Sequence, residues 1–164
     1  MCDVILCGQL DEDSLKNLLG TYHLSLCILE EGQPIPGSHF GEPEAGLIEN
    51  RVYIRKDTPV HSLLHESCHY ICMDQQRRDG LHTDAGGDYD EENAVCYLSI
   101  LLADQIDGYD SSRMMHDMDQ WGYTFRLGSA RAWFYEDAED ASNWLLSHHL
   151  IDSKYRPRGR VRAC

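Results

Sequence analysis

The sequence predicts an α+β fold in a single domain. Its 164 residues are a length that one hydrophobic core accommodates. The first half mixes short apolar runs, which are typical of strands, with helical patterns, whereas the second half consists mostly of helical segments. We therefore expect a short mixed or antiparallel sheet packed on helices, followed by a helical C-terminal part.

Apolar runs and turn signals define the elements of the first third. Leucines at helical spacing behind an acidic first turn predict a helix that Gly20 ends, and Pro- and Gly-rich turns separate the later strands. A polar connection at residues 49–51 predicts a β-hairpin. The predicted elements are a strand at 4–7, a helix at 11–19, a strand at 23–29 and a hairpin with strands at 46–48 and 52–54.

Two longer helices are predicted in the middle of the chain. The Thr58 hydroxyl can cap a helix in which Pro59 takes the first position, and this helix should continue to about residue 73. After a polar loop at 75–90, apolar residues recur at helical spacing and predict a second helix over about 90–106. Shorter helices are predicted at 111–121, 129–135 and 137–149.

Acidic residues outnumber basic ones by 28 to 14, which gives a net charge of −14. Residues 154–164 carry five of the basic groups and no acid, so residues 1–153 carry a net charge of −19. This balance argues against nucleic acid as a partner, since binding a polyanion requires clustered Lys and Arg. We expect one domain at 1–153 and a basic, disordered tail at 154–164.

The composition also bears on the compartment. No apolar run approaches the roughly 20 residues that a spanning helix needs, and the N-terminus lacks a basic region before its apolar stretch. The seven cysteines are an odd number without a framework spacing, which favours reduced thiols over disulfides. We expect a cytoplasmic protein without a membrane partner.

The first of the two long helices contains an HExxH pattern, formed by His65, Glu66 and His69. Two histidines four residues apart lie on one helix face, so both imidazoles can bind one metal ion. Zn²⁺ is the metal expected for such ligands, and Glu66 is placed to act as general base toward a metal-bound water. The pattern therefore predicts a zinc site.

A third ligand is expected at the start of the second long helix. Glu91 lies on the line of the apolar stripe, whereas Glu92 lies at its edge, so Glu91 is favoured and Glu92 is the alternative. Asp88 and Glu91 also form a capping-box-like pattern, in which case Glu91 would be a cap. Asp84, His82 and Asp88 are lesser alternatives for the ligand.

Catalysis would also need a donor for a developing oxyanion. His82 is the preferred candidate, because the neighbouring Asp84 can fix its tautomer and the loop lies between the two ligand helices. The alternatives are Tyr89, Tyr97, Tyr123 and Arg126. A different arrangement, with Cys72 as a further ligand, would close the metal site and abolish hydrolysis.

The residues HESCH, followed by EENAVCYLSILLA, resemble the gluzincin metallopeptidases, in particular small zincins of the ImmA/IrrE, CAAX-processing or minigluzincin type. The resemblance covers residues 46–103. It implies a zincin-like α+β domain in which His65, His69 and Glu91 are zinc ligands and Glu66 is the base. It also implies that an edge strand near residues 52–54 holds an extended peptide by backbone pairing.

The sequence thus predicts a zinc-dependent hydrolase, specifically a metallopeptidase. A peptide or protein would be its substrate, and the acidity of the chain favours a cationic one. The alternative is a non-catalytic regulatory or interaction protein whose metal is structural.

Overall fold

The computed structural model describes residues 3–38, 41–80 and 87–163. Within these ranges the fold is α+β, as predicted, with seven α-helices and a small mixed sheet. The strands are β1 (Ser25–Ile28), β2 (Gly46–Ile48) and β3 (Arg51–Ile54). The helices are α1 (Glu12–Thr21), α2 (Val60–Cys72), α3 (Gln75–Asp79), α4 (Tyr89–Ala103), α5 (Ser111–Trp121), α6 (Ala130–Glu136) and α7 (Glu139–Ser147).

The sheet has the strand order β1-β3-β2. The predicted hairpin is confirmed, because β2 pairs with β3 in antiparallel register, with Leu47 opposite Val52. Strand β1 pairs with the other side of β3 in parallel register. The expectation of an edge strand at residues 52–54 is therefore wrong, since β3 lies between the two other strands.

The free edge of β2 is partly occupied by the chain that precedes it. The Leu47 N–H donates to the carbonyl oxygen of Gly37 at 3.3 Å. Gly37 has a φ of +73° and lies against the strand, so that a Cβ there would approach the Ile48 side chain to 2.7 Å. This packing requires a glycine and takes up one of the backbone groups that an added strand would need.

Helices α2 and α4 form the centre of the core. Helix α2 is buried along almost its whole length and packs on β2, β3, α4 and α5. Helix α4 packs on α2, α5 and α7, so it is covered on nearly all sides. Both helices were predicted, but α2 begins at Val60, because the Thr58 hydroxyl accepts the Arg55 N–H at 2.9 Å instead of capping the helix.

The N-terminal strand predicted at residues 4–7 is not formed. Leu6 makes a single antiparallel bridge with Pro59, and a short 3₁₀ turn follows at Cys7–Gln9. The Ile5 N–H donates to the side chain of Asp117 at 3.1 Å rather than to a neighbouring strand. An apolar run without a partner strand cannot extend a sheet, so the segment packs on the core as irregular chain.

The C-terminal half is helical, as predicted. Helix α5 agrees with its prediction at both ends, and α6 and α7 differ by a few residues. Residues 154–163, expected to be disordered, instead lie against the body. The Arg158 N–H donates to the Leu150 carbonyl at 3.0 Å, and the Arg162 N–H donates to the Ile71 carbonyl at 2.9 Å. These backbone hydrogen bonds hold the segment in place.

In the described part of the chain, no helix combines the length and the apolarity that crossing a membrane requires.

A buried carboxylate joins the N-terminal segment to α5. Asp117 is fully buried, and its two oxygens accept the Ile5 N–H, the Tyr109 hydroxyl at 3.0 Å and the Arg113 Nε–H at 2.8 Å. Removing one partner of such a network leaves the other groups buried without hydrogen bonds.

Asp117→Ala should therefore lower the free energy of unfolding by about 3 kcal/mol. Urea unfolding measures the change, and Glu31→Ala in an exposed turn serves as the control, with an expected change within about 0.5 kcal/mol. Equal stabilities of the two variants would show that the network does not stabilise the fold.

Candidate metal centre

The two histidines of the HExxH pattern lie on the buried face of α2 and point at the same place. Their side chains are 7% and 10% exposed, and their Nε2 atoms are 3.1 Å apart. The one-turn spacing on the helix produces this convergence, as the sequence predicts.

A carboxylate from α4 completes the cluster, and it belongs to Glu92. One Glu92 oxygen lies 3.0 Å from His65 Nε2, and the other lies 3.2 Å from His69 Nε2. Among the described residues, these three form the group of His, Cys, Asp and Glu side chains that could hold a metal ion. Cys72, considered as a further ligand, does not belong to this group.

The spacing of the three donors fits zinc. With metal–ligand distances of about 2.0–2.1 Å, two ligand atoms of a tetrahedral site are about 3.3 Å apart. The two Nε2 atoms are 3.1 Å apart, close to that value, and each lies 3.0–3.2 Å from a different oxygen of the Glu92 carboxylate. Two imidazole nitrogens and a carboxylate are also the donor set of a catalytic zinc site, which leaves a coordination position open.

The electrostatics of the cluster favour positive charge at the point of convergence. Burial opposes ionisation of Glu92, but the hydrogen bond from His65 and the two imidazoles hold its pKa at about 2. Burial alone would lower the pKa of His65, yet its polar neighbours Tyr123, Cys96 and Glu92 together raise it well above its usual value. A carboxylate that stays ionised between two imidazoles is suited to binding a cation.

Glu91, favoured by the sequence as third ligand, faces away from the histidines. Its buried carboxylate accepts from Arg77 Nη1 at 3.0 Å and Nη2 at 2.5 Å, and from Arg162 Nη1 at 3.3 Å. The Glu91 N–H is capped by the Asp88 side chain at 2.9 Å. We call Glu91, Arg77 and Arg162 the arginine clamp.

Glu92 faces the histidines in place of Glu91, and the sequence did not reveal this because α4 is almost entirely buried. Neighbouring residues on a helix point about 100° apart, so only one of the two glutamates can face α2. The apolar stripe does not identify that face, because α4 is covered on nearly all sides. A better signal is the line of small polar residues after Glu92, since Cys96 and Ser99 follow it at helical spacing and are buried.

Glu66, the expected general base, lies beside the cluster, and only 5% of its surface is exposed. Burial raises its pKa to about 7; the nearby His65 acts against this shift, and the charges of Glu92 and Glu44 add to it. A carboxylate with a pKa near neutrality can both take up and release a proton under physiological conditions.

A cleft of about 340 Å³ opens beside the cluster. Its lining residues are Glu44, His65, Glu92, Trp121, Gly122 and Tyr123. Three of them come from the end of α5, where Gly122 adopts a φ of +109° and turns the chain so that Trp121 and Tyr123 face the site. Only glycine adopts this conformation readily, so Gly122 shapes the aromatic wall of the cleft.

Of the proposed oxyanion donors, Tyr123 is the one that the described structure brings to the cleft. Its ring lies edge-on to His65 with the centroids 5.9 Å apart, and burial raises the pKa of its hydroxyl, which therefore keeps its proton. Tyr89 is 70% exposed, Tyr97 stacks on Phe134, and Arg126 pairs with Asp137. His82 and Asp84 lie outside the described residues.

His61 supports the aromatic wall from behind. It is fully buried one turn before His65, and its ring centroid lies 5.4 Å from those of Trp121 and Tyr123. Burial lowers its pKa to about 3, so it is neutral at physiological pH. It packs as a flat neutral ring and keeps the wall in position.

Because Glu92 and Glu91 face different directions, substitutions of the two residues test the site. Glu92→Gln should abolish binding of one zinc ion per chain with little loss of stability, since Glu92 lies at the cleft. Glu91→Gln should keep the zinc but lower the free energy of unfolding by about 3 kcal/mol, because it leaves the arginines partly unpaired. Metal analysis and urea unfolding of both variants check this, and zinc loss in Glu91→Gln alone would reverse the assignment.

Comparison of the chain with protein-family models, with curated proteins and with solved structures finds no match. The assignment of the site therefore depends on its own geometry.

Proposed function

We propose that the protein is a zinc-dependent hydrolase of the peptidase type. The observation that carries this proposal is the convergence of His65, His69 and Glu92 at one point beside an open cleft, with Glu66 next to them. A structural zinc site is normally closed by four protein ligands, whereas three ligands at a cleft leave room for substrate and water.

His65, His69 and Glu92 would hold the ion. Zinc at this position would supply a Lewis acid for the scissile carbonyl and make a nearby water more acidic. The protein itself has to move protons, orient the substrate and stabilise the charge that develops on the carbonyl oxygen.

Glu66 is the proposed general base. It would take a proton from the attacking water as the new C–O bond forms at the carbonyl carbon. It would then pass that proton to the amine nitrogen as the C–N bond breaks, so that the carboxylate is regenerated. The burial that raises its pKa suits this double role.

Tyr123 is the proposed oxyanion donor. Its hydroxyl remains protonated, and it lies close enough to His65 and Glu66 for their charges to affect its pKa. A preorganised O–H in a partly desolvated cleft stabilises negative charge more than water does.

A non-catalytic metal site is the second candidate, and the occupied edge of β2 favours it. Zincin-type peptide binding by strand addition is hindered where Leu47 already pairs with Gly37. Under the peptidase proposal, the substrate would therefore be held mainly by side chains of the cleft.

Glu66→Gln separates metal binding from catalysis. The variant should keep zinc at the wild-type stoichiometry while kcat for a quenched fluorescent peptide pool falls by about 100-fold to 10,000-fold, because the proton acceptor is lost. Glu49→Gln, in the exposed hairpin turn, is the control and should keep full activity. Wild-type turnover by zinc-loaded Glu66→Gln would assign the base to another residue.

Tyr123→Phe tests the oxyanion donor. The ring and its packing against His65 remain, so zinc content and stability should change little, while kcat should fall by about 100-fold. Tyr97→Phe, on α4 where the ring stacks on Phe134, removes the same hydroxyl outside the cleft and should leave kcat unchanged. An equal effect of the two substitutions would exclude a specific role of Tyr123.

A further inference from the structure

Glu44 forms one side of the cleft and is not used by the proposed reaction. It lies two residues before β2 and is half-buried. The Trp121 Nε1–H donates to one of its carboxylate oxygens at 3.2 Å. The indole is neutral, so this contact orients the carboxylate without neutralising it.

The backbone around Glu44 is fixed. Its N–H donates to the Gly41 carbonyl at 3.2 Å, and its own carbonyl accepts the Ser38 hydroxyl at 3.0 Å. The next residue, Ala45, donates its N–H to Ser62 on α2 at 2.9 Å. Glu44 is thereby attached to the same helix that carries the histidines, so its distance from the metal centre is set by the fold.

Among the described lining residues, only the imidazole of His65 can oppose the charge of Glu44, and as a zinc ligand it would be neutral. Among the described lining residues none is Lys or Arg. Three arginines of the described chain pair with other carboxylates, since Arg77 and Arg162 belong to the arginine clamp and Arg55 pairs with Glu42 and Asp57. A zinc ion would take its carboxylate ligand from Glu92, whereas Glu44 does not belong to the group of side chains that could hold the ion.

Burial raises the pKa of Glu44 above its usual value, and the hydrogen bond from Trp121 and the nearby His65 only partly offset this shift. A ligand cation would restore the lost solvation through a charge-assisted hydrogen bond. The aromatic rings of Trp121 and Tyr123 beside it add apolar and cation–π surface for the methylene stem and head of a basic side chain.

From this arrangement we infer that Glu44 determines specificity by binding a cationic group of the substrate next to the scissile bond. The group is an ammonium or guanidinium, which a Lys or Arg side chain or a free peptide N-terminus would supply. The inference rests on the proposed function, because it identifies the substrate class of that same site. The preference for a cationic substrate would then come from the carboxylate of Glu44 and not from the net negative charge of the chain.

The test compares peptides that differ at one position. Zinc-loaded protein is given quenched fluorescent peptides with Lys, norleucine, Gln or Glu at each position flanking the cut, with either a free or an acetylated N-terminus. Wild type should cleave the Lys peptide with a kcat/KM about tenfold above that of the norleucine peptide, as one charge-assisted hydrogen bond implies. If the side chain is the cation, this preference survives acetylation of the N-terminus; if the α-amine is the cation, acetylation instead lowers kcat/KM of the Lys and norleucine peptides alike, by about tenfold.

Glu44→Gln keeps an acceptor for Trp121 but removes the charge. In Glu44→Gln the ratio of kcat/KM between the Lys and norleucine peptides should fall to about one, and Glu44→Lys should shift the preference to the Glu peptide. Glu49→Gln is again the control. A wild type without preference, or a preference that survives in Glu44→Gln, would overturn the inference.

A binding measurement separates this inference from the proposed function. Zinc-loaded Glu66→Gln protein is titrated with the same peptides by calorimetry. Binding that favours Lys and depends on Glu44, in a protein whose wild type hydrolyses no peptide, would reject the peptidase and keep the cation site. Hydrolysis by wild type without a charge preference would keep the peptidase and reject the cation site.

Discussion

The contact between α2 and α4 determines the arrangement of the whole site. Both helices are buried, so their rotation about their own axes is fixed by packing on every side. This rotation places Glu92 across from His65 and His69 and turns the adjacent Glu91 about 100° away from them, toward the arginines. Two neighbouring carboxylates thereby obtain different surroundings: one faces imidazoles at the cleft, and the other is neutralised by guanidinium groups. The distribution of charge in the centre of the molecule follows from this one packing relation.

Much of the fold could be predicted from local patterns in the sequence. The β2–β3 hairpin and helices α2, α4 and α5 are specified by turn residues and hydrophobic periodicity, which act over a few residues. The order of the strands could not be predicted in this way, because nothing local shows that β1 would return to pair with the far side of β3. The segment at residues 4–7 has the composition of a strand, but a strand also needs a partner, and Asp117 takes its N–H instead.

In the candidate site, too, some residues could be identified from local sequence patterns and others depend on contacts between distant parts of the chain. His65 and His69 share a helix face by their spacing alone, so the sequence identifies them together with Glu66. The choice between Glu91 and Glu92 depends on which sides of α4 are covered, and that depends on α7 and on residues 154–163, which are distant in sequence. Half of the aromatic wall was missed for a similar reason. Tyr123 was among the candidate oxyanion donors, but Trp121 was not assigned to the site, because only the left-handed turn at Gly122 directs both residues to the cleft.

The arginine clamp also has a consequence for the order in which the molecule folds. Arg77 precedes Glu91 by 14 residues, whereas Arg162 follows it by 71. Closing the longer loop costs more chain entropy, and contacts between distant residues form late. The contact of Glu91 with Arg77 is therefore expected to form before its contact with Arg162. The helix that carries Glu92 is then fully anchored only once residues 154–163 have docked.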